Sequence, residues 1–353
     1  MKIAVLCLPG IGDALMATPM ISLLRKNYPS ARIDIICMFD GVSYIFETNK
    51  DISHTFKLSL YKENKIKGLI QIYKLRKQKY DISIMAFPAF RREYNLVHYI
   101  VGAKKRIAHS FTHGYFSEFT FLNNTTIPFD GKEHNVINNL NLLNSLQIKW
   151  NDTIKRNTIS YLLHLQHKDV LFGTHYIASK GLANKKLLAI HPGSINSKAG
   201  LLKRWPIKNY INLINTLADR NCHILLFGGP FEKEIITEIT KSVKKSSYLT
   251  VVDNVTFGQS LGILQKARLL ISNDNGFAHL ANALQINELT LFGPTNPIWC
   301  SPYNKNYAHV IREASFTPWF RPDMKVTTLP RFAPSGMELI TVASVLNVLK
   351  KLL

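Results

Sequence analysis

The feature that most constrains this chain is a regular alternation of short apolar runs with longer segments of helical spacing. Four runs in the first half have the length and composition of buried strands, at 3–8, 32–38, 81–87 and 106–109. Five more follow in the second half, at 186–191, 222–227, 249–252, 268–272 and 288–292. Alternation of strands with helices is typical of parallel sheets covered by helices, so the sequence predicts an α/β fold.

The segments between these runs predict the helices and the domains. Helical spacing occurs at 14–26, 133–146, 208–219, 232–243, 258–266 and 277–284, and Pro19 is expected to kink the first helix. A chain of 353 residues exceeds the roughly 250–300 residues at which single cores stop growing. The polar stretch 149–185 has no dominant strand signal, so we place a domain boundary within it and predict two Rossmann-like domains, 1–170 and 171–353. Two such domains facing each other would leave a cleft at the carboxyl ends of their strands, where open α/β sheets bind ligands.

The charge and the cysteine content indicate the compartment and the partners. Lysine and arginine number 44 against 23 aspartates and glutamates, a net charge of +21 that favours anionic partners. The four cysteines form no Cys-x-x-Cys pair, which argues against a disulfide framework or a zinc site and for a reducing cytoplasm. The apolar start ends at Pro9-Gly10, too early for a signal peptide, and no apolar stretch reaches the ~20 residues of a membrane span. We therefore expect a cytoplasmic protein that is peripheral to a membrane at most.

A basic segment at 57–79 concentrates part of this charge. It holds eight lysines and arginines against the single acid Glu63, with apolar Leu69, Ile70 and Tyr73 interleaved. Such a pattern is typical of surfaces that contact anionic lipid head groups or a phosphorylated glycolipid. The alternative is a solvated lysine face with no partner. Nucleic acid is not an expected partner, since no recognition motif accompanies the charge.

The loop after the first strand carries the first candidate catalytic residue. Gly10 and Gly12 permit a tight turn with close backbone approach, and Asp13 is expected at the N-cap of the following helix. A carboxylate there is suited to accept a proton from a hydroxyl, and capping alone is the alternative role. A dinucleotide fingerprint would have glycine where Leu15 stands, but Asp40 would suit a ribose-binding acid, so a nicotinamide-dependent oxidoreductase stays an alternative.

Two loops of the second half bring cations, hydroxyls and an acid to strand ends. The loop from His191-Pro192-Gly193-Ser194 to Lys203-Arg204-Trp205-Pro206 follows a strand, and Lys203 is placed to neutralise a departing diphosphate. The turn Gly228-Gly229-Pro230 precedes Glu232, whose carboxylate is suited to hold a ribose hydroxyl. The alternatives are a surface lysine and an acid that only favours the first helical turn.

The loop 272–279 and the segment 292–297 carry the sharpest signal. Gly276 is predicted to open a helix whose N-terminal amides bind pyrophosphate, with His279 one turn inside it. Asp274 belongs either to this nucleotide-diphosphate site or to a helix cap. The sequence contains no P-loop, zinc-protease motif, hydrolase elbow or Asp-x-Asp metal pair, so neither a metal site nor a bound cofactor is expected.

Together these loops resemble the heptosyltransferase family, glycosyltransferase family nine. The matching motifs are Gly10-Ile11-Gly12-Asp13 with Ala17-Thr18-Pro19, His191-Pro192-Gly193 with Lys203-Arg204-Trp205-Pro206, Ser272-Asn273-Asp274 with Gly276 and His279, and Phe292-Gly293-Pro294-Thr295. The resemblance implies a GT-B fold and an inverting, metal-independent transfer of heptose from ADP-heptose to a sugar hydroxyl of the lipopolysaccharide inner core. It also implies that the protein works at the cytoplasmic face of the inner membrane.

The resemblance implies roles for individual residues as well. Asp13 is the base that takes the acceptor proton, and Lys203 neutralises the leaving diphosphate. The 1–170 domain binds the anionic glycolipid acceptor, at positions Gly12, Arg91 and Arg92. The 171–353 domain binds the nucleotide-sugar donor, at positions Ser194, Asn196, Ser197, Glu232, Asp274, Asn275, Gly276, His279, Gly293 and Thr295.

Two departures from the family pattern leave the donor open. Many relatives carry cysteines where this chain has 315–320, and Asn275 stands where serine or threonine is usual. A related GT-B transferase that uses another nucleotide sugar is therefore an alternative. Titration with ADP and with NAD separates either transferase from the oxidoreductase.

Overall fold

In a computed structural model, the chain divides into two compact units, which we call unit 1 (Met1–His164) and unit 2 (Leu165–Leu353). The structure describes residues 1–60, 65–88, 90–321 and 333–353. Residues 61–64 of the basic segment 57–79 lie outside this part of the chain. Within the described residues, each unit contains one six-stranded parallel sheet.

Unit 1 is a doubly wound sheet with helices on its faces. Its strands are β1 (Lys2–Cys7), β2 (Arg32–Cys37), β3 (His54–Lys57), β4 (Ile82–Met85), β5 (Lys105–Ser110) and β6 (Thr125–Pro128). Its helices are α1 (Ile11–Asn27), α2 (Asp40–Glu47), α3 (Lys65–Arg76), α4 (Arg92–Val101) and α5 (Asn135–Asn141). The strands lie in the order β3-β2-β1-β4-β5-β6, the Rossmann arrangement.

Unit 2 repeats this arrangement. Its strands are β7 (Lys186–His191), β8 (Cys222–Phe227), β9 (Leu249–Val252), β10 (Leu269–Asn273), β11 (Asn287–Leu291) and β12 (Ala308–Ile311). Its helices are α6 (His167–Ser179), α7 (Lys198–Leu201), α8 (Ile207–Asp219), α9 (Lys233–Ser242), α10 (Phe257–Leu264), α11 (Gly276–Ala283), α12 (Pro297–Cys300) and α13 (Val342–Leu352). The order β12-β11-β10-β7-β8-β9 is the same topology, so the predicted α/β class with two Rossmann-like sheets is confirmed.

The central strands are almost entirely buried and rich in apolar residues because helices cover both faces of each sheet. In unit 1, Ile72 and Leu75 of α3 and Val97 of α4 pack in one core with Leu6 of β1. In unit 2, α8, α9 and α13 form a core with β7, β8, β10 and β11. This packing leaves the carboxyl ends of the strands and the loops that follow them to form sites.

The strands that the sequence analysis missed are edge or near-edge strands. They are β3, β6 and β12, each four residues long. Most of their side chains are half-buried or exposed, and they lack the apolar run of a strand that is covered on both faces. The boundary predicted between 170 and 171 falls within α6, in unit 2.

Pro19, where the sequence predicts a kink, lies inside helix α1 and does not end it. The helix runs from Ile11 to Asn27 with Pro19 inside it. Proline has no N–H to donate to the carbonyl of Leu15, one turn earlier. The hydroxyl of Thr18 donates to this carbonyl instead, at 2.7 Å. The backbone acceptor is therefore satisfied, and the helix continues.

The helix predicted at 133–146 is shorter than expected. Helix α5 ends at Asn141, and a 3₁₀ segment follows at Leu142–Leu146. The apolar spacing fits both helix types, because residues three and four apart lie on one face in each.

Within the described ranges, no helix has both the length and the apolar character that crossing a bilayer requires.

Candidate functional site

In unit 1, Asp13 lies in the first turn of α1, directly after β1. The helix begins at Ile11 with Gly10 as the N-cap, so the prediction that Asp13 is the N-cap was wrong. Gly10 adopts the extended backbone of a cap, and the carboxylate of Asp13 accepts a hydrogen bond from its N–H at 3.3 Å. Asp13 therefore closes a capping box from the third helical position, where the positive end of the helix attracts its charge. Its side chain is half-buried.

The other unit 1 candidates lie on helix starts. Gly12 is the second residue of α1 and is half-buried. Arg91 is the N-cap of α4, where its guanidinium lies 5.6 Å from the centroid of the Tyr94 ring. Arg92 is exposed and pairs with Glu93 at 3.3 Å. Asp40, the ribose-binding candidate, is exposed and its carboxylate forms an ion pair with Lys57.

In unit 2, Asn273 ties together the loops at the carboxyl ends of β7 and β10. Its side-chain oxygen accepts hydrogen bonds from the Trp205 N–H at 3.0 Å and from the Tyr210 hydroxyl at 2.8 Å. Its amide nitrogen donates to the carbonyls of Pro192 at 2.7 Å and Gly193 at 3.2 Å. Asn273 belongs to the Ser272-Asn273-Asp274 motif, but the sequence analysis gave it no role. The sequence signal for such a role is its position as a polar residue at the end of an apolar strand.

Lys203 and Asp274 form an ion pair at 2.6 Å in this region. Their side chains are 18% and 8% exposed, so Lys203 is not a surface lysine. Asp274 is not a helix cap either, which corrects one of its two predicted roles. The Lys203 ammonium also lies 5.6 Å from the centroid of the Phe320 ring. The pair places a positive and a negative group together at the carboxyl end of the sheet.

Asn275, not Asp274, is the N-cap of α11. Its side-chain oxygen accepts hydrogen bonds from the N–H of Phe277 at 2.8 Å and of Ala278 at 3.4 Å. Its amide nitrogen lies 2.9 Å from the Gly193 carbonyl and 3.1 Å from Nδ1 of His191. We expected the amides after Gly276 to be open to pyrophosphate. Two of them are instead occupied by Asn275.

Two histidines of this region are uncharged at neutral pH. Burial lowers the pKa of His279 to about 4; the Asp274 carboxylate opposes this shift, and the Lys203 ammonium adds to it. Burial likewise lowers the pKa of His191 to about 4. The ring of His191 stacks on Phe277 with centroids 4.6 Å apart. His279 therefore brings no positive charge to an anion.

Three polar groups near Lys203 are buried without a hydrogen-bond partner among the described residues. They are the hydroxyls of Ser194 and Thr295 and the Nε of Arg204. Arg204 also donates from Nη2 to the Ser194 carbonyl at 3.1 Å, and Thr295 is bridged to Phe320, the ring beside Lys203. Buried polar groups are almost always paired. Unpaired hydroxyls and a guanidinium N–H beside an ammonium group fit an anionic, oxygen-rich ligand.

Glu232 lies against Gly193 and caps its own turn. The carboxylate accepts a hydrogen bond from the Gly229 N–H at 2.9 Å, the local role that sequence analysis gave as the alternative. A Cβ at Gly193 would lie 2.4 Å from Cγ of Glu232, so only glycine leaves room for this side chain.

The remaining donor candidates have structural contacts of their own. Ser197 caps α7 and accepts a hydrogen bond from the Gly200 N–H at 3.1 Å, whereas Asn196 is exposed. Gly293 packs so closely that a Cβ would lie 2.4 Å from the Ser335 carbonyl oxygen. In the described part of the chain, no group of three or more His, Cys, Asp or Glu residues is arranged to hold a metal ion.

Comparison with known proteins gives a consistent result. The model of glycosyltransferase family 9 (heptosyltransferase) matches residues 71–326. Lipopolysaccharide heptosyltransferase 3 of Escherichia coli is 26% identical over 314 residues, which covers 84% of each chain. Lipooligosaccharide heptosyltransferase 2 of Haemophilus ducreyi is 23% identical over 322 residues, which covers 88% of each chain. The solved structure of E. coli ADP-heptose lps heptosyltransferase II superposes with a TM-score of 0.76 at 19% identity, over 100% of this chain and 98% of that one. This likeness confirms the expected GT-B fold class.

Proposed function

The chain belongs to glycosyltransferase family 9, the heptosyltransferases, and on that premise we propose that it transfers heptose from ADP-heptose to a sugar hydroxyl of the lipopolysaccharide inner core. We propose further that the transfer inverts the anomeric carbon and needs no metal ion. The unpaired buried hydroxyls of Ser194 and Thr295, near the Lys203–Asp274 pair, carry this proposal. The names of the similar enzymes support the donor and the lipopolysaccharide pathway.

In this proposal, unit 2 binds the donor. The Lys203 ammonium, the Arg204 guanidinium and the two hydroxyls are donors of hydrogen bonds, which a diphosphate accepts with its oxygens. Lys203 compensates the charge that collects on the diphosphate as the bond to the sugar breaks. We keep the ten positions predicted from the sequence, from Ser194 to Thr295, as the proposed contacts of the nucleotide-sugar donor.

Unit 1 supplies the base and binds the acceptor. The Asp13 carboxylate takes the proton of the acceptor hydroxyl while the hydroxyl oxygen attacks the anomeric carbon. The bond from that carbon to the β-phosphate oxygen breaks, and its electron pair leaves with ADP. Attack opposite to the leaving group inverts the configuration. Gly12, Arg91 and Arg92 are the proposed acceptor contacts, with the arginines on phosphates or carboxylates.

We propose the cytoplasmic face of the inner membrane as the place of the reaction, because the acceptor is an anionic glycolipid. The net charge of +21 favours such a partner. The basic segment 57–79 is the candidate for this contact, and a solvated lysine face is its alternative role.

The experiment that tests the proposed function is a donor panel. The purified protein is incubated with ADP-heptose and with other ADP- and UDP-sugars, a truncated core acceptor, and EDTA. We expect mass spectrometry to show one added heptose from ADP-heptose, and NMR to show inversion at the anomeric carbon. Transfer from another nucleotide sugar alone would support the alternative donor. Loss of transfer in EDTA would contradict the metal-independent step. In a separate calorimetric titration, binding of NAD without binding of ADP would favour the oxidoreductase.

A further inference from the structure

An aromatic cluster stands on the surface of unit 1. Tyr115, Phe116 and Phe121 are 57%, 75% and 45% exposed. The rings of Tyr115 and Phe116 have centroids 5.0 Å apart, and those of Phe116 and Phe121 are 6.1 Å apart. Single exposed apolar residues are ordinary, but a cluster of large ones marks an interaction site.

A chain of buried side-chain hydrogen bonds fastens this segment to α4. Asn95 of α4 donates to the Glu118 carbonyl at 2.8 Å, and Asn123 donates to the side-chain oxygen of Asn95 at 2.8 Å. His98 of α4 bonds the side chains of Asn123 at 2.8 Å and Ser83 at 2.7 Å. The segment that carries the aromatic rings is thus held at Glu118, within the cluster, and at Asn123, directly after it. Their exposure is a property of the folded unit.

The same layer of unit 1 exposes further apolar side chains. Helices α3 and α4 pack on one face of the sheet through residues such as Ile72 and Val97, so their exposed residues lie on the outer side of that layer. These exposed residues are Leu69, Ile70 and Tyr73 on α3 and Leu96 and Tyr99 on α4. We call this side, together with the aromatic cluster, the outer face.

Cations are frequent in this part of the sequence, and Lys74 and Lys77 on α3 are exposed. Between residues 65 and 106 the sequence has eleven lysines and arginines against two acids, Asp81 and Glu93. The Lys77 ammonium lies 5.3 Å from the Tyr73 ring centroid, and the Arg106 guanidinium lies 5.4 Å from that of Tyr99. Apolar aromatic side chains interleaved with cations are what the interfacial region of an anionic bilayer binds.

We propose that the outer face docks unit 1 on an anionic phospholipid bilayer, with Tyr115 and Phe116 entering the head-group region and Lys74 and Lys77 contacting lipid phosphates. A second copy of this chain is a poorer occupant, because it would bring the same cations face to face. The inference goes beyond the catalytic assignment. Vesicle binding needs neither donor nor acceptor, so its failure is distinguishable from failure of the proposed transfer.

The test is co-sedimentation of the full chain with phosphatidylcholine vesicles, with and without phosphatidylglycerol. We expect binding that requires phosphatidylglycerol and weakens with salt. Tyr115→Ser with Phe116→Ser is expected to weaken it about tenfold through lost apolar contact. The matched control is Phe231→Ser, which removes a ring of unit 2 that is 65% exposed.

A second pair of variants separates local charge from net charge. Lys74→Glu with Lys77→Glu is expected to weaken vesicle binding about thirtyfold, since each lysine near the surface contributes to attraction. The control variant is Lys241→Glu with Lys244→Glu, which changes the net charge by the same amount at two exposed lysines of unit 2. We expect it to change vesicle binding by less than about twofold. Circular dichroism and thermal unfolding establish that each variant is folded.

Three results would overturn the proposal. One is equal binding to vesicles with and without phosphatidylglycerol. Another is equal weakening by the unit 1 variants and their unit 2 controls. The third is a concentration-dependent dimer in size-exclusion chromatography that the Tyr115 and Phe116 variant abolishes, which would assign the outer face to a second copy of the chain.

Discussion

At the residue scale, the Lys203–Asp274 ion pair is mostly buried. Removal of one partner of a buried pair leaves the other charge uncompensated. Lys203→Ala is therefore expected to lower the free energy of unfolding by roughly 3 kcal/mol, and to weaken both ADP binding and turnover. Calorimetric titration with ADP and thermal unfolding measure these effects. Lys198→Ala, an exposed lysine of α7, is the matched control, and unchanged ADP binding in Lys203→Ala would remove Lys203 from the site.

Asp13 combines a capping contact with a proposed catalytic role, and one substitution separates the two. Asn in place of Asp13 keeps an oxygen for the Gly10 N–H but loses the basicity of the carboxylate. We expect turnover to fall by ~10²–10⁴ with ADP affinity and stability almost unchanged. Asp40→Asn changes the carboxylate in the first turn of α2 and serves as the control. If the two variants have similar turnover, Asp13 is only a capping residue.

Removal of the unpaired hydroxyls of Ser194 and Thr295 is expected to weaken ADP binding without lowering the stability of the fold. Without ligand, an unpaired buried hydroxyl destabilises the fold, so Ser194→Ala and Thr295→Val should leave the unfolding temperature unchanged or raise it. Each variant should weaken ADP binding by about 1 kcal/mol, because the ligand loses a hydrogen bond. Thr290→Val is the control, since the Thr290 hydroxyl donates to Glu288 and its loss should lower stability. A fall in stability with unchanged ADP affinity would mean that these hydroxyls serve the fold.

At the element scale, α6 and α10 cross at two glycines. A Cβ at Gly173 would lie 2.0 Å from the Gly262 carbonyl oxygen, and a Cβ at Gly262 would lie 1.9 Å from the Asp169 carbonyl oxygen. The helix backbones are thus in direct contact. Replacing a glycine inside a helix by alanine normally stabilises the helix by up to about 1 kcal/mol. At this helix crossing we expect the same substitution to destabilise the protein.

Gly173→Ala is therefore expected to destabilise unit 2 by about 2 kcal/mol or more, because the helices must move apart. Thr174→Ala, on the exposed side of the same helix, is the control and should be neutral or stabilising. Thermal unfolding of both variants tests the sign. A more stable Gly173→Ala would show that the crossing tolerates a methyl group.

At the scale of the whole molecule, buried titratable groups set the pH dependence of stability. Burial lowers the pKa of His98, His109, His191 and His279 to about 4. Below pH 6.5 these histidines bind protons in the unfolded chain but stay neutral in the folded protein. The free energy of unfolding therefore decreases as pH falls from about 6.5 to about 4. Glu288 acts in the opposite sense. Burial raises its pKa to about 8, so the folded protein keeps a proton that the unfolded chain has lost.

This difference in sign gives a test between about pH 7 and pH 8, where most histidines are neutral in the unfolded chain as well as in the folded one. In that window the contribution of Glu288 to the free energy of unfolding falls by up to about 1.4 kcal/mol per pH unit as pH rises. Glu288→Gln has a neutral side chain at every pH, so its free energy of unfolding should lack this pH dependence. The variant should therefore become more stable relative to the wild type as pH rises. Unfolding at several pH values, followed by tryptophan fluorescence, measures the difference. Parallel pH profiles would show that Glu288 is ionised in the folded protein.

Much of the architecture was predictable because it depends on local sequence pattern. A strand covered on both faces is rich in apolar residues, and this local signal predicted the central strands β1, β2, β4, β5, β7, β8, β10 and β11. The loops that hold Asp13, Lys203 and Asp274 were found because glycines and polar residues follow those runs directly. Edge strands need no such run: β3, β6 and β12 were missed, whereas the edge strand β9, which has an apolar run, was predicted.

The sequence by itself determined the two α/β sheets, the order of their elements and the loops at the carboxyl ends of the strands. Only the tertiary structure decided that Lys203 pairs with Asp274, that Asn275 rather than Asp274 caps α11, and that Ser194 and Thr295 are left without partners. The reason is physical. Periodicity is written along the chain, whereas a hydrogen bond or ion pair between distant residues depends on strand register and on which loops meet at one edge of a sheet.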